Sequence, residues 1–318
     1  MFETGVQTKY IVSDENPFAG FKRIRQAGFS CADFSLNDYL LNSEIYENKP
    51  NGFFKKSTDE LLSFFAPHKE AAEEAGVRIH QMHMPYPNYV PTAVEGVNDF
   101  LLEEMAPKSM EICRFFGCRY IVVHGIKSRH FTGSEEGEWE QTEMFLHHVL
   151  PMARQYGITI CIENIYTKNG NHIIEGPCCN AFKAAERIDR LNKEYGAEVL
   201  GFCFDTGHAN LVGIEFESFI MTLGKRLKVL HIHDNDGVRD LHQMPFTFTR
   251  TRENKPSTNW DGFIRALALS GYDGVLNFET SPVLKSFPKE LQDDALHLLS
   301  RIGEYFGESI SRYSGEMP

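Results

Sequence analysis

The sequence predicts a parallel α/β fold, a (β/α)8 TIM barrel that takes residues 1–318 as a single domain. Two observations predict it. Short β-rich runs alternate with helix-favouring stretches along almost the whole chain, which implies parallel strands joined by crossovers. Six consecutive runs also end in a His, Asp or Glu, and a closed barrel brings the ends of its strands to one mouth.

The candidate strands cover 5–11, 31–36, 77–84, 119–126, 158–165, 199–205, 228–234 and 274–280. Helix-favouring stretches at 58–75, 92–116, 138–156, 181–195, 215–227 and 260–270 lie between them. Gly76, Gly117, Gly157, Gly196 and Gly271 fall where a helix C-cap glycine should precede the next strand. Eight such units in about 250 residues suit a closed barrel better than an open sheet. No GxGxxG or GxxxxGK[ST] string follows an early strand, which removes the main support for a nucleotide-binding open sheet. No Pro-, Ser- or Gly-rich linker divides the chain. The loops 37–57 and 236–259 are long and lie on the strand-to-helix side, where barrels build their pockets. Tyr39, Tyr46, Phe53 and Phe54 give the first of them apolar surface that a lid could use, with an ordinary packed loop as the equal alternative.

Composition narrows the function. The net charge is −12, from 44 acidic and 32 basic residues, and this counts against a nucleic-acid partner. Only short basic clusters occur, at 22–25 and 249–252, and both read as a solvated helix face or loop. No apolar run approaches the roughly 18 residues of a membrane span. Met1 to Tyr10 lacks the basic start and apolar run of a secretory signal, so a cytoplasmic address is expected. Seven cysteines without a CxxC pair read as reduced thiols packed as small hydrophobes.

The chemistry sits at the strand ends. His83 and His124 close the third and fourth candidate strands, Glu163 the fifth, Asp205 the sixth, His231 the seventh and Glu279 the eighth. One such residue alone is ordinarily a satisfied polar group. Six at equivalent places would crowd carboxylates at one mouth, and a divalent cation with N and O ligands resolves that repulsion. His208 stands three residues after Asp205, and Asp240 and His242 stand two apart in the loop after the seventh strand. His233 shares strand parity with His231, and its plainer role is a hydrogen bond to a ligand.

The strings His-Met-Pro (83–85), Ile-Glu-Asn (162–164), Phe-Asp-Thr-Gly-His (204–208), His-Ile-His-Asp (231–234), Asp-Leu-His (240–242) and Phe-Glu-Thr (278–280) resemble the xylose isomerase-like TIM-barrel superfamily. That group includes sugar isomerases and epimerases, inosose dehydratases and endonuclease IV enzymes. Its ketose 3-epimerase pattern implies one divalent ion on Glu163, Asp205, His231 and Glu279. In that pattern Glu163 and Glu279 are also the acid/base groups and His208 contacts the sugar. Its endonuclease IV pattern implies three ions, held by those four residues with His83, His124, His208, Asp240 and His242. The resemblance thus implies a divalent cofactor, Mn2+ or Zn2+, at one to three ions per chain. The implied activity is a sugar or polyol isomerase or epimerase working by proton transfer through an enediolate. A sugar dehydratase or lyase, or a trinuclear phosphoesterase, is the alternative. The partner expected is a small carbohydrate, with no membrane, and a homo-oligomer stays open. The chain departs from these patterns between His242 and Trp260, which lack the usual glycine. The substrate arginine is left open among Arg239, Arg250 and Arg252, with Arg239 favoured alongside His208 and His233 as substrate-binding.

Overall fold

The computed structural model describes residues 2–127, 135–250 and 255–315. Eight parallel strands form the sheet: β1 (Thr4–Gln7), β2 (Cys31–Ser35), β3 (Arg78–His83), β4 (Tyr120–His124), β5 (Thr159–Glu163), β6 (Leu200–Asp205), β7 (Leu227–His231) and β8 (Leu276–Phe278). Neighbours in sequence are neighbours in the sheet, and β1 also pairs with β8. The last gap closes just past β7, where Ile232 N donates to Asn277 O at 2.9 Å and Glu279 N donates to Ile232 O at 3.1 Å. The sheet therefore closes into a barrel.

Helices α1 (Pro17–Gln26), α2 (Thr58–Ala75), α3 (Ala106–Phe115), α4 (Glu135–Tyr156), α5 (Ala181–Tyr195), α6 (Phe216–Leu223), α7 (Trp260–Ser270) and α8 (Gln292–Gly315) surround it. Ser57 begins α2 with a capping box, its hydroxyl accepting from Glu60 N while the Glu60 carboxylate accepts from Ser57 N. The five expected C-cap glycines all have φ between 62° and 68°. A side chain there would strain the backbone although it would touch nothing.

Some boundaries differ from the sequence reading, each for a local reason. The first strand stops at Gln7, because Ile11 N and Val12 N both turn back to Thr8 O. The stretch 92–116 is not one helix. Helix begins at Val97, passes through a π-helical turn at Leu101–Met105 and resumes as α3. Pro107 has no N–H to return to the preceding turn, which accounts for the altered ladder. In the loop 37–57, Tyr39 and Phe53 stack at 4.8 Å and pack edge-on against Phe64 and Phe65 of α2. Phe54 is fully buried. These three rings anchor the loop to the core instead of supplying a lid; only Tyr46 faces the pocket described below.

Side chains on the barrel strands alternate between the helices and the interior. Below the ligand-type residues, the interior is split. Val122, Cys161, Cys203 and Val229 form an apolar cluster of their own. On the opposite side Asp33, Gln81 and Asn277 are fully buried, with both amide groups donating to Asp33 Oδ2 at 3.3 and 3.4 Å. All seven cysteines are buried and free.

The cap geometry gives a direct test. Gly196 ends α5 at φ 62°, and a Cβ placed there would have no atom within 4 Å. Gly196→Ala should therefore cost about 1–2 kcal/mol through backbone strain alone. Urea unfolding should show a lower midpoint at an unchanged slope. A midpoint equal to that of the parent would contradict the left-handed cap.

Candidate metal centre

Strand ends bring the predicted residues together at the C-terminal mouth of the barrel. Glu163 is the hub. Its Oε1 lies 3.2 Å from His231 Nδ1 and 3.3 Å from His208 Nδ1, and its Oε2 lies 3.2 Å from His124 Nε2 and 3.5 Å from His83 Nε2. His231 Nδ1 also faces Glu279 Oε2 at 3.4 Å and Asp205 Oδ2 at 4.0 Å. One ligand atom from each of Glu163, Asp205, His231 and Glu279 falls within 4.8 Å of the others. Two further groups meet the same limit: His83, Glu163 and His231, and His208, His233, Asp240 and His242. These atoms suit a divalent cation. Glu163 Oε2, fully buried with no hydrogen bond of good geometry among the described residues, is one atom that a cation would satisfy.

Local structure aims each group. Asp205 caps the short helix Thr206–Val212, its Oδ1 accepting from His208 N at 2.6 Å. That leaves Oδ2 for His233 Nε2 at 3.0 Å and for the centre. Asn164, next to Glu163, clamps the end of β6 by accepting from Asp205 N and donating to Asp205 O, both at 2.9 Å. Gln7 on β1 donates to Glu279 Oε1 at 2.9 Å. The loop carrying Asp240 and His242 is pinned by Asp234, which accepts from Thr258 Oγ1 at 2.6 Å and pairs with Gln243 through the backbone. Gly207 must be glycine, since a Cβ there would stand 1.9 Å from His233 Cε1.

Not every expected residue enters the site. Arg239 is exposed and bonds Asp236 through both Nε and Nη2, away from the cavity. Arg252 lies outside the described residues, as does the side chain of Arg250. His233 is fully buried, turns its Nε2 onto Asp205 and stacks on His242, which lies between it and the cavity lining. The sequence reading missed Asn164, Gln7, Asp33, Tyr86, Lys127 and Tyr166. Tyr86 stacks on His124 at 4.1 Å, and Lys127 lies 5.0 Å over the Tyr166 ring. Tyr166 comes from a β-hairpin, Tyr166–Asn169 paired with His172–Glu175, whose Gly170-Asn171 turn was a readable signal.

A cavity of about 440 Å3 opens above the centre, lined by Glu163, Glu279, Asp240, Lys127, Tyr86 and Tyr166 among others. A larger one, about 710 Å3, lies at the opposite end of the barrel beside Glu3, Arg78 and His80. Size does not decide between them. The smaller cavity has the converging ligands, and barrel chemistry belongs at the C-terminal end.

Charge balance in the site follows from burial and proximity. Burial acts to raise the Glu163 carboxyl, but the His231 and His124 beside it hold it well below the usual carboxylate range. Burial acts to lower His242, and the Asp240 and Glu279 carboxylates outweigh it, raising it to about 10. His124, where burial prevails over Glu163, is pushed down to about 4.

The Xylose isomerase-like TIM barrel family model matches residues 21–301. Inosose isomerase from Bacillus velezensis is 24% identical over 174 residues, which cover 54% of this chain and 56% of that protein. Among solved structures, a D-tagatose 3-epimerase-like protein superposes with a TM-score of 0.67 at 17% identity, covering 98% of both chains. The IolI protein with a bound zinc atom gives 0.65 at 17% identity, covering 98% of this chain and 99% of that one.

These shifts predict how the protein behaves with chelator present. His124 and His80 are buried neutral, His80 also pushed to about 4 by burial and then by Arg78. They bind protons more readily unfolded, so stability should rise from about pH 4 to about pH 6.5. His242 holds its proton more tightly when folded, so its contribution is present below about pH 6.5 and is lost as pH rises toward 10. Thermal melts across this range should peak near pH 6.5. A melting temperature that climbs steadily to pH 9 would contradict the assignment.

Proposed function

The chain belongs to the xylose isomerase-like TIM-barrel family, and from that membership we propose that it is a metal-dependent isomerase or epimerase of a sugar or polyol. The observation that carries this reading is the set Glu163, Asp205, His231 and Glu279, which can offer four ligand atoms to one ion at the floor of a cavity of about 440 Å3. That volume lies within the usual range for small-molecule sites. The activities named for the inosose isomerase and the epimerase-like structure, and the zinc in IolI, support the same reading. When bound, the ion supplies Lewis acidity toward adjacent carbonyl and hydroxyl oxygens.

The protein's own groups do the rest. Glu163 and Glu279 both line the cavity. One takes the proton from the carbon next to the carbonyl, and the other returns a proton from the opposite face. Tyr86 and Tyr166 offer ring faces to the apolar sides of a sugar. His208, fixed by its Nδ1 contact with Asn164 O at 3.1 Å, turns Nε2 toward Asp240 and is the nearest candidate to meet a hydroxyl. Arg239 would have to leave Asp236 to reach the substrate. The net charge of −12 disfavours a nucleic-acid substrate, and among the described residues no helix is long and apolar enough to cross a membrane.

A second reading, a trinuclear phosphoesterase, has one observation in its favour: His83 and the His208, His233, Asp240 and His242 group also meet ligand spacing. The same centre could also expel a β-hydroxyl, as a sugar dehydratase or lyase does.

Two experiments separate these readings. Protein reloaded with Mn2+ or Zn2+ should convert a ketohexose or an inosose, and in deuterium oxide NMR should follow label entering the reacting carbon of at least part of the product. Glu279→Gln should lower turnover by about 10²–10⁴-fold with the fold retained. No conversion across ketoses, aldoses and inososes, with cleavage of a phosphate ester instead, would overturn the leading reading. Secondly, His242→Ala should leave one tightly held ion per chain by metal analysis if the four-ligand set is the working centre. Loss of all bound metal in that variant would favour the multinuclear site.

A further inference from the structure

We infer that Asp33 is a positioning residue for His231, fixing which ring nitrogen faces the centre. The inference rests on the reading of Glu163, Asp205, His231 and Glu279 as an ion-binding set. His231 Nδ1 looks up at three carboxylates, Glu163 at 3.2 Å, Glu279 at 3.4 Å and Asp205 at 4.0 Å. To offer a lone pair there, the neutral ring must carry its hydrogen on Nε2. Nε2 points down into the barrel, where Asp33 Oδ2 lies 3.1 Å away. Both side chains are 0% exposed, so water cannot take over that role. The approach lies off the N–H axis, too bent for a good hydrogen bond, so the carboxylate acts on the ring mainly through its charge.

Asp33 itself is set for this task. Gln81 Nε2 and Asn277 Nδ2 both donate to the same Oδ2, at 3.3 and 3.4 Å, while Oδ1 has no hydrogen-bond partner among the described residues. Among the described residues no lysine or arginine forms an ion pair with Asp33; His231 is the one basic side chain that meets it. A buried carboxylate in that position is a poor stabiliser by itself. It is explained by what lies above it: a carboxylate behind a ligating histidine fixes the ring's tautomer and raises its basicity toward a cation.

The test compares wild-type protein with Asp33→Asn, which keeps the shape and removes the charge. With chelator present, thermal melts of the two proteins check that the variant is folded. Its Zn2+ affinity, measured by competition with a chromophoric chelator, should fall by about 10- to 100-fold. A purely structural aspartate would give a lower melting temperature with unchanged affinity. If wild type binds Zn2+ and the variant binds it within about threefold, the role of Asp33 is overturned and the proposed function stands. If wild type binds no Zn2+ or Mn2+, both fall. Should the variant fail to fold, long-range 1H–15N spectra of wild type decide the matter, with His231→Ala identifying the signal. A His231 ring protonated at Nε2 is expected; one protonated at Nδ1 alone overturns the inference.

Discussion

The protein gathers several carboxylates at the mouth of one closed barrel, and the placement of its histidines follows from that. Ligand atoms of Glu163, Asp205 and Glu279 lie within 4.8 Å of each other in a set that is largely buried. Two unit charges at that distance repel by roughly 3–4 kcal/mol at an effective dielectric of about 20. A barrel cannot spread them, because its strand ends converge by construction. Histidines are interleaved instead. Each of the four carboxylates, Asp240 included, has at least one imidazole nitrogen within 4 Å. Without an ion the carboxylates raise His208, His231 and His242, while burial keeps His124 down; with one, the proposed chemistry has the raised rings give their protons up, which links metal affinity to pH.

The layer beneath answers the same constraint. Two residues before His124, Glu163, Asp205 and His231 stand Val122, Cys161, Cys203 and Val229, an apolar wall that lowers the local dielectric. Two residues before His83 and Glu279 stand Gln81 and Asn277, which converge with Asp33 on the other side. The apolar side strengthens every charge interaction above it, and the polar side faces the buried nitrogen of His231. One interior thus has two dielectric halves. The cysteines belong to the apolar half. Burial pushes their thiols up, away from reactivity, Cys203 among them.

Strand-end chemistry was legible in the sequence because it depends on parity and repetition. Glycines at 76, 117, 157, 196 and 271 marked the beat, and a His, Asp or Glu at six strand ends marked the mouth. What the sequence hid are residues whose role exists only across strands. Asp33 sits 198 positions from His231, and Gln7 sits 272 from Glu279, with nothing local to announce either partner. Asn164 was visible inside Ile-Glu-Asn, but its clamp on Asp205 needs the β5–β6 neighbourhood to appear. The rings of the loop 37–57 left the choice between lid and packed loop open for a general reason. Aromatic residues in a long loop serve equally as a lid or as an anchor, and hydrophobicity alone does not choose. The hairpin after β5 was different. Its Gly170-Asn171 turn was readable, and it carries Tyr166 to within 5.3 Å of the His208 ring.

The string Phe-Asp-Thr-Gly-His shows how closely local structure and site chemistry are coupled. Asp205 must cap a helix and serve the centre, and it can do both because a carboxylate has two oxygens; Oδ1 takes the His208 amide and Oδ2 faces His233. Thr206 ties the start of the helix to the end of β7, donating to His233 O at 2.8 Å and accepting from His233 N at 3.0 Å. Gly207 leaves the space that the His233 ring occupies. His208 then emerges one turn on, with Nδ1 near Glu163 and Nε2 near Asp240. Each residue in the string therefore depends on a neighbour from β7 or the loop after it. The helix start, the β6–β7 contact and the two groups of ligand atoms are one piece of geometry, so a change that loosens the cap would also disturb the ring packed against it.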